Sequence, residues 1–279
     1  MALVLQELNW FDGSKNVTLR RVALQLEYDG TLFSGSQLQK GQRTIQGELE
    51  KAWWKFTNEY SRANFAGRTD SGVHALGQVA TFETEKQYDI HSSVSALNHF
   101  LPEDMAVVSM IDIPLDIDVR RHAKSRVYQY KIKDGGVRSP INRDYIWFRQ
   151  QALNISSMTD AVMALPFCEY DWSAFAGPVP EGYSTIRELF DCDVERVDPN
   201  QVLVTVEASG FLPHQVRRMV GALEKVGCGA ISPQDYVDFL DKGPGSAGPT
   251  APAHGLTLLD VKYESSIINW NSNKNRDVL

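Results

Sequence analysis

The chain has 279 residues, room for one large or two modest domains that each bury a core. Its formal net charge of −7 argues against a protein that is basic on every face. No stretch approaches the ~20 apolar residues of a membrane span, and Met1-Ala2-Leu3-Val4-Leu5-Gln6-Glu7 has neither the basic start nor the cleavage site of a signal peptide, so a cytoplasmic location without a membrane partner is expected.

In chain order, Arg21 to Tyr28 alternates as a half-buried strand, and helical periodicity runs from Thr44 to Tyr60. Extended segments at Ala63 to Ala66 and Gln78 to Phe82 flank a turn rich in polar residues. A short helix from Ser93 to Phe100 leads into a strand from Ala106 to Ile113. In the second half, Val127 to Lys133 alternates, Ser156 to Leu165 is helical, and Ile186 to Val197 with Val202 to Glu207 forms a hairpin across Asp198-Pro199-Asn200. Gln215 to Val226 is helical, and Leu256 to Tyr263 is a final strand before a polar stretch, Trp270 to Leu279, expected to fray. The two halves read alike and lack the strict βαβ rhythm of a doubly wound fold, which predicts an α+β fold with a mainly antiparallel sheet. The loop from Lys242 to His254 is rich in Gly and Pro but lacks the Gly-Lys-Ser/Thr ending of a phosphate loop, and reads as a connector. Cys168, Cys192 and Cys228 are odd in number and widely spaced, with no histidine at ligand spacing, so they read as reduced thiols and no metal site is expected.

The most informative turn is Gly67-Arg68-Thr69-Asp70-Ser71-Gly72-Val73-His74-Ala75. Its glycines permit positive φ or close backbone approach, and they let Asp70 project from the rim of a sheet. Arg68 is close enough in sequence to pair with that acid. Taken alone, Asp-Ser-Gly is equally a capped turn. A second signal is charge: between Arg120 and Arg149 nine cations face two carboxylates, a local balance of +7 that leaves −14 for the rest. Such asymmetry can steer a polyanion to one face, although a solvated strand edge guarded by Lys and Arg gives the same count.

The turn resembles the G-R-T-D-x-G-V-H-A signature of the tRNA pseudouridine synthase A family, and the resemblance continues from about Arg21 to about Tyr263. Tyr28-Asp29-Gly30-Thr31-Leu32-Phe33-Ser34-Gly35-Ser36-Gln37 is similar to the family's Y-D-G-T-x-F-x-G-W-Q, with Ser36 in place of tryptophan. Thr44 to Glu50 follows as a helix start, and Ala96-Leu97-Asn98 with Leu101-Pro102 resembles A-L-N-x-x-L-P. Ala123-Lys124-Ser125-Arg126-Val127-Tyr128-Gln129-Tyr130 is similar to A-x-x-R-x-Y-x-Y, preceded here by Arg121-His122 where Phe-Ser is common. Gly210-Phe211-Leu212-Pro213-His214-Gln215-Val216-Arg217-Arg218-Met219-Val220-Gly221 resembles G-x-F-L-x-H-Q-V-R-x-M-V-G, and Ala253-His254-Gly255-Leu256 the family's P-x-x-G-L.

The resemblance implies two similar α/β halves whose mainly antiparallel sheets join side by side with an active-site cleft between them, the pseudouridine synthase fold, in a homodimer. Residues 1–19 would be an N-terminal extension, 20–115 the half with the catalytic Asp, 116–265 the half with Tyr128 and Arg217, and 266–279 a polar tail. It implies isomerisation of uridine to pseudouridine on the 3′ side of the tRNA anticodon stem-loop (tRNA positions 38–40). That reaction breaks N1–C1′, turns the base, joins C5 to C1′ and removes the C5 proton, so it needs no cofactor. It asks for an ionised carboxylate near the sugar, a base for the late proton transfer and a pocket for detached uracil. Asp70 suits the first role, as nucleophile or as acceptor of a ribose proton. Arg68 is expected to pair with it and, by resemblance, Arg217 approaches from the other half; otherwise Arg217 is one solvated residue of an amphipathic helix. Tyr128 would stack on the base and take part in proton transfer, or else form an ordinary aromatic pair with Tyr130. Leu256 would back the uracil or simply be core. Arg120, Arg121, Lys124 and Arg126 would bind RNA phosphates, while His74 is a structural hydrogen-bonding group. The alternatives are the same fold and chemistry on another RNA, a non-catalytic RNA-binding protein, and a metal-dependent hydrolase, which the lack of clustered ligands disfavours.

Overall fold

A computed structural model of the protein describes residues 19–270, so the expected extension before Leu19 and the tail after Trp270 lie outside the described residues. The first half runs β1 (Arg20–Tyr28), α1 (Ile45–Thr57), β2 (Asn64–Phe65), β3 (His74–Thr84), α2 (Ile90–Phe100) and β4 (Met105–Ile113). β1 is its central strand, antiparallel to β3 on one side and β4 on the other. The second half runs β5 (Ser125–Asp134), β6 (Trp147–Arg149), α3 (Ile155–Met163), β7 (Glu169–Asp171), β8 (Ile186–Asp198), β9 (Gln201–Ala208), α4 (Gln215–Gly227), α5 (Pro233–Val237) and β10 (Leu256–Lys262). The strands form one sheet in the order β4-β1-β3-β10-β5-β9-β8-β7, with β2 on β3 and β6 on β5. The fold is therefore α+β with a mostly antiparallel sheet. None of the described helices is long and apolar enough to cross a membrane.

The halves meet through β10, which pairs antiparallel with β5 and parallel with β3 over Thr257↔His74 and Leu258↔Ala75. Backbones approach closely at this seam: a Cβ on Gly77 would lie 2.5 Å from the Leu259 carbonyl oxygen. On one side of the seam, Trp53 of α1 stacks on Phe82 of β3 at 4.3 Å between ring centres, and both rings are fully buried. On the other, Trp172, Phe175 and Tyr236 form a second aromatic cluster.

Caps set the helix limits. The Thr44 hydroxyl accepts the Gly47 N–H at 3.2 Å, and Asn58 turns left-handed at φ 59, so α1 stops at Thr57 and not at Tyr60. Asp89 accepts the Ser92 N–H at 2.9 Å, which starts α2 three residues before Ser93. The five-residue α5, closed by a reciprocal Ser232–Asp235 box, and the three-residue strands β6 and β7 are too short for periodicity to announce.

The end of β5 carries a buried ion pair. Arg196 of β8 donates to both oxygens of Asp134 at 2.8 and 2.7 Å, and the Leu153 N–H donates to Oδ2 at 2.7 Å. Burial pushes the Asp134 carboxyl up, but these hydrogen bonds outweigh it and hold the group below the usual carboxylate range. A depressed pKa contributes stability above the unfolded-state value and loses it as pH falls through the folded-state value. Asp134→Asn should therefore cost about 3 kcal/mol in urea unfolding at pH 7, the scale for breaking a buried pair. The gap to the parent should shrink as the medium is acidified below pH ~4.

Candidate active site

Asp70 sits on the loop between β2 and β3, and the segment after β1 gives that loop its shape. Thr69 is the anchor: its hydroxyl lies 2.8 Å from that of Tyr28, its N–H donates to Ser36 Oγ at 2.9 Å, and its carbonyl accepts the Ser36 N–H at 3.0 Å. Burial pushes the Tyr28 phenol up to about 12, which keeps it neutral in this contact. The Ser71 hydroxyl donates to the Phe33 carbonyl at 3.0 Å. A Cβ on Gly30 would fall 2.0 Å from the Val73 carbonyl oxygen, so only glycine lets the two segments meet. Of the loop's own glycines, Gly72 takes positive φ (80°), whereas Gly67 does not and has open space around it. Ser36, standing where the resembling family carries tryptophan, thus replaces an aromatic surface with a buried hydrogen bond behind Asp70.

Two groups from the α4 start grip one oxygen of the Asp70 carboxylate. Arg217 Nη1 donates to Oδ2 at 2.9 Å, and His214 Nδ1 lies 2.8 Å from the same atom. Oδ1 accepts no hydrogen bond from a described residue, and the side chain is 31% exposed. Arg217 is aligned from behind: its Nε donates to the Ala251 carbonyl at 2.8 Å, and the Ala251 N–H donates to the Arg217 carbonyl at 3.0 Å. One turn on, Gly221 approaches Pro249 so closely that a Cβ would lie 2.0 Å from its carbonyl oxygen. The loop from Lys242 to His254 is thus no plain connector. It straps α4 in place and sets the angle of Arg217.

Asp70 opens onto a cleft of 610 Å³ whose walls include Val73, Tyr128, Phe211 and Leu256. Tyr128 projects from the buried face of β5 and meets Phe211 edge-on at 5.3 Å. Burial pushes its phenol far above the ordinary tyrosine range, and Tyr28 and Asp70 push the same way against Arg126, so Tyr128 is a neutral hydrogen-bond donor at pH 7. Leu256, at the start of β10, is buried beside it. A second cavity of 680 Å³ adjoins this cleft and shares Gly67, Arg68 and Arg120 with it. Among the described residues no three His, Cys, Asp or Glu side chains converge as a metal's ligands would.

Seven of the residues singled out from sequence line this one cleft: Arg68, Asp70, Arg120, Arg126, Tyr128, Arg217 and Leu256. Three expectations need correction. Arg68 is exposed and makes no ion pair with Asp70; the partners arrive from 144 and 147 residues away because a short loop spreads neighbouring side chains apart. Arg126 is buried and satisfies four backbone carbonyls, those of Ala66, Arg120, Ala123 and Ser209, so its guanidinium is structural and not a free phosphate ligand. Arg149 of the same basic segment is engaged with buried Glu224 at 2.6 Å, which removes part of the expected positive face, whereas Lys124 stays exposed in a surface ion pair with Glu264 at 2.9 Å. Arg121 is 85% exposed at the second cavity, 3.6 Å from Asp118. His74 is held as a structural group, with Nδ1 3.1 Å from both the Gly30 N and Asp29 Oδ1, and Nε2 2.9 Å from the Asp144 carbonyl. Sequence reading assigned no role to His214, Phe211 or Arg187, all on the cleft wall. The signal for His214 was present, since it lies three residues before Arg217 in the same motif.

Residues 25–120 and 169–264 match the tRNA pseudouridine synthase family. The tRNA pseudouridine synthase A of Chloroflexus aurantiacus is 38% identical over 90% of this chain and 92% of its own length. That of a Roseiflexus species is 38% identical over 88% and 91%, and that of Geotalea uraniireducens 37% identical over 88% and 100%. A solved Cbf5-Nop10-Gar1 complex aligns with 73% of this chain and 54% of its own at 12% identity, with a TM-score of 0.30.

The contrast between two arginines is measurable. Arg126→Ala strands four carbonyls in or near the core and should lower unfolding free energy by about 3 kcal/mol or more. Arg121→Ala, at an exposed site, should change it by no more than about 0.5 kcal/mol. Urea titrations followed by far-UV circular dichroism check both.

Proposed function

The chain belongs to the tRNA pseudouridine synthase family, and we propose that the Asp70 cleft is where it isomerises uridine to pseudouridine, on the 3′ side of the anticodon stem-loop. The observation that carries this reading is the carboxylate held through one oxygen by Arg217 and His214, with the other left free toward a cleft of nucleotide size. Oδ1 is the reacting atom. It attacks C1′ as the glycosidic pair leaves on N1, or it takes the C2′ proton as that bond breaks; in either route N1 departs as the uracil anion. Tyr128 stacks on the freed base and donates its phenolic proton in a hydrogen bond to it, while Leu256 backs the ring and keeps it from water. The base then turns, and C5 bonds to C1′.

A base reaching Asp70 has left its stack, at a cost of a few kcal/mol, so contacts to the flanking backbone must offset it. Arg68, Arg120 and Arg121, exposed on the rim between the two cavities, suit that role. Lys124, held only by a surface ion pair, can join them, whereas Arg126 does not, because its guanidinium is engaged with backbone carbonyls within the protein. The same reading includes a homodimer, a cytoplasmic location, and a division of the chain near residue 115 into a half that brings Asp70 and a half that brings Tyr128 and Arg217. A different RNA target is the second reading, favoured by Ser36, Arg121 and His122, which depart from the family pattern close to the cavity walls. Incubation of the purified protein with unmodified tRNA transcripts, followed by mapping of pseudouridine, decides between the two.

Asp70→Ala is expected to abolish pseudouridine formation while the melting temperature and tRNA affinity stay close to the parent; a variant that still converts uridine at a comparable rate would remove Asp70 from the chemistry. Tyr128→Phe keeps the ring and loses the donor. Its single-turnover rate at saturating enzyme should fall by roughly 10²-fold, the size of losing one oriented hydrogen-bond donor to developing charge, with affinity within a few-fold by filter binding.

A further inference from the structure

We propose that His214 is the general base that removes the C5 proton in the last step of the isomerisation, a proposal that rests on the activity assigned to this cleft above. The late step needs a proton acceptor inside the cleft, and Tyr128 is a poor one, since its buried phenol stays neutral and offers a donor. Asp70 has Oδ2 engaged by two donors and needs Oδ1 for the sugar. His214 is the one histidine among the residues lining the cleft.

Its tautomer follows from geometry. A carboxylate oxygen and a bare ring nitrogen 2.8 Å apart would repel, so a proton lies between Asp70 Oδ2 and His214 Nδ1. In the neutral imidazole the lone pair is then on Nε2, which makes no hydrogen bond to a described residue, and the side chain is 41% exposed on the cleft wall. An Asp–His pair arranged this way orients the ring and stabilises the imidazolium once the far nitrogen takes a proton, the logic of the hydrolase dyads. Arg217 Nη1, 3.3 Å from Nδ1, shares the same oxygen and limits how far the ring can swing.

The backbone has been bent to put the ring there. His214 stands at the head of α4 with φ 60°, one of only two non-glycine residues at positive φ among those described. Such a conformation is unfavourable for a residue with a side chain and persists where the surroundings over-determine it. The surroundings here are specific: a Cβ on Gly177 would lie 2.6 Å from His214 Cδ2, and the Gly177 N–H donates to the Pro213 carbonyl at 2.7 Å. Glycine at 177 gives the ring edge its seat, and Asp70 fixes its rotation.

The step balances without a further reagent. Once C5 has bonded to C1′, the C5–H proton passes to Nε2 and the C–H pair becomes the C5–C6 double bond. The N1–C6 π pair returns to N1, which takes a proton from the imidazolium or from water. One proton moves from C5 to N1, and no electrons are gained or lost. This holds whether Asp70 has acted on C1′ or on C2′.

The test separates proton transfer from positioning. His214→Asn keeps a short N–H donor for Asp70, suits positive φ, and removes only the distal base. With tRNA transcripts made from 5-deuterated uridine or from ordinary uridine, the single-turnover rate of His214→Asn should fall by roughly 10²-fold. A primary deuterium isotope effect absent from the parent should appear, and tRNA affinity should be little changed. Added imidazole should restore rate to His214→Gly, which tolerates the same φ and leaves a ring-sized gap. A His214→Asn protein that works at the parental rate overturns the proposal. So does one slowed without any isotope effect and without imidazole rescue of the glycine variant, since His214 would then only position Asp70. A parent that makes no pseudouridine in any transcript would count against the cleft's assigned activity, and against this role with it.

Discussion

The site exists because two strands from distant parts of the chain run side by side at β3 and β10. Only two register pairs, His74 with Thr257 and Ala75 with Leu258, define that parallel contact, yet they bring the Asp70 loop of one half against the head of α4 from the other. The tolerance is small. Gly77 lets β3 approach Leu259 where β10 bulges between Leu258 and Asp260, and an added methyl there would meet a backbone carbonyl at 2.5 Å. A displacement of 1 Å at the seam would stretch both hydrogen bonds to Asp70 Oδ2, which at 2.8 and 2.9 Å are near the optimum for charged pairs.

The Asp70 loop is held by backbone contacts more than by side-chain packing, and this explains the density of glycine and small polar residues in its two motifs. Gly30 meets Val73, Ser36 closes a two-way bond with Thr69, and Tyr28 caps the Thr69 hydroxyl from below. Together they fix Asp70 in place while leaving its carboxylate partly exposed. The same device recurs on the opposite wall, where Gly221 and Gly177 admit the Pro249 carbonyl and the His214 ring. Each half thus contributes a rigid element and a backbone clasp, and Asp70, His214 and Arg217 meet where the clasps face each other.

The alternation that makes strands legible carried the fold class, but side-chain partners depended on geometry that no local pattern encodes. Arg68 is two residues from Asp70 and points elsewhere, whereas Arg217 and His214 reach it from α4. Counting charge between Arg120 and Arg149 overstated the basic face because a guanidinium's direction matters more than its presence. Arg126 shares the buried alternation of Tyr128, Tyr130 and Ile132 along β5, so the periodicity that aims Tyr128 at the cleft also drives Arg126 inward. That much was readable. The strap of α4 by the loop after Lys242 was not, because the loop contributes to it mainly backbone carbonyls, which every residue type carries alike.

The place of β10 in chain order has a consequence for biogenesis. Until residues 256–262 leave the ribosome, β3 and β5 each present an edge that β2 and β6 cover only in part, and the strand that covers the rest of both is the last described one to be made. The first half is then a four-stranded sheet whose rim is open beyond the short β2 for most of translation, a template for pairing with another nascent chain. Charged or bulged edges are the usual protection, but this edge must stay straight to receive Thr257 and Leu258. The closed cleft and escape from that hazard arrive together, with one seven-residue strand.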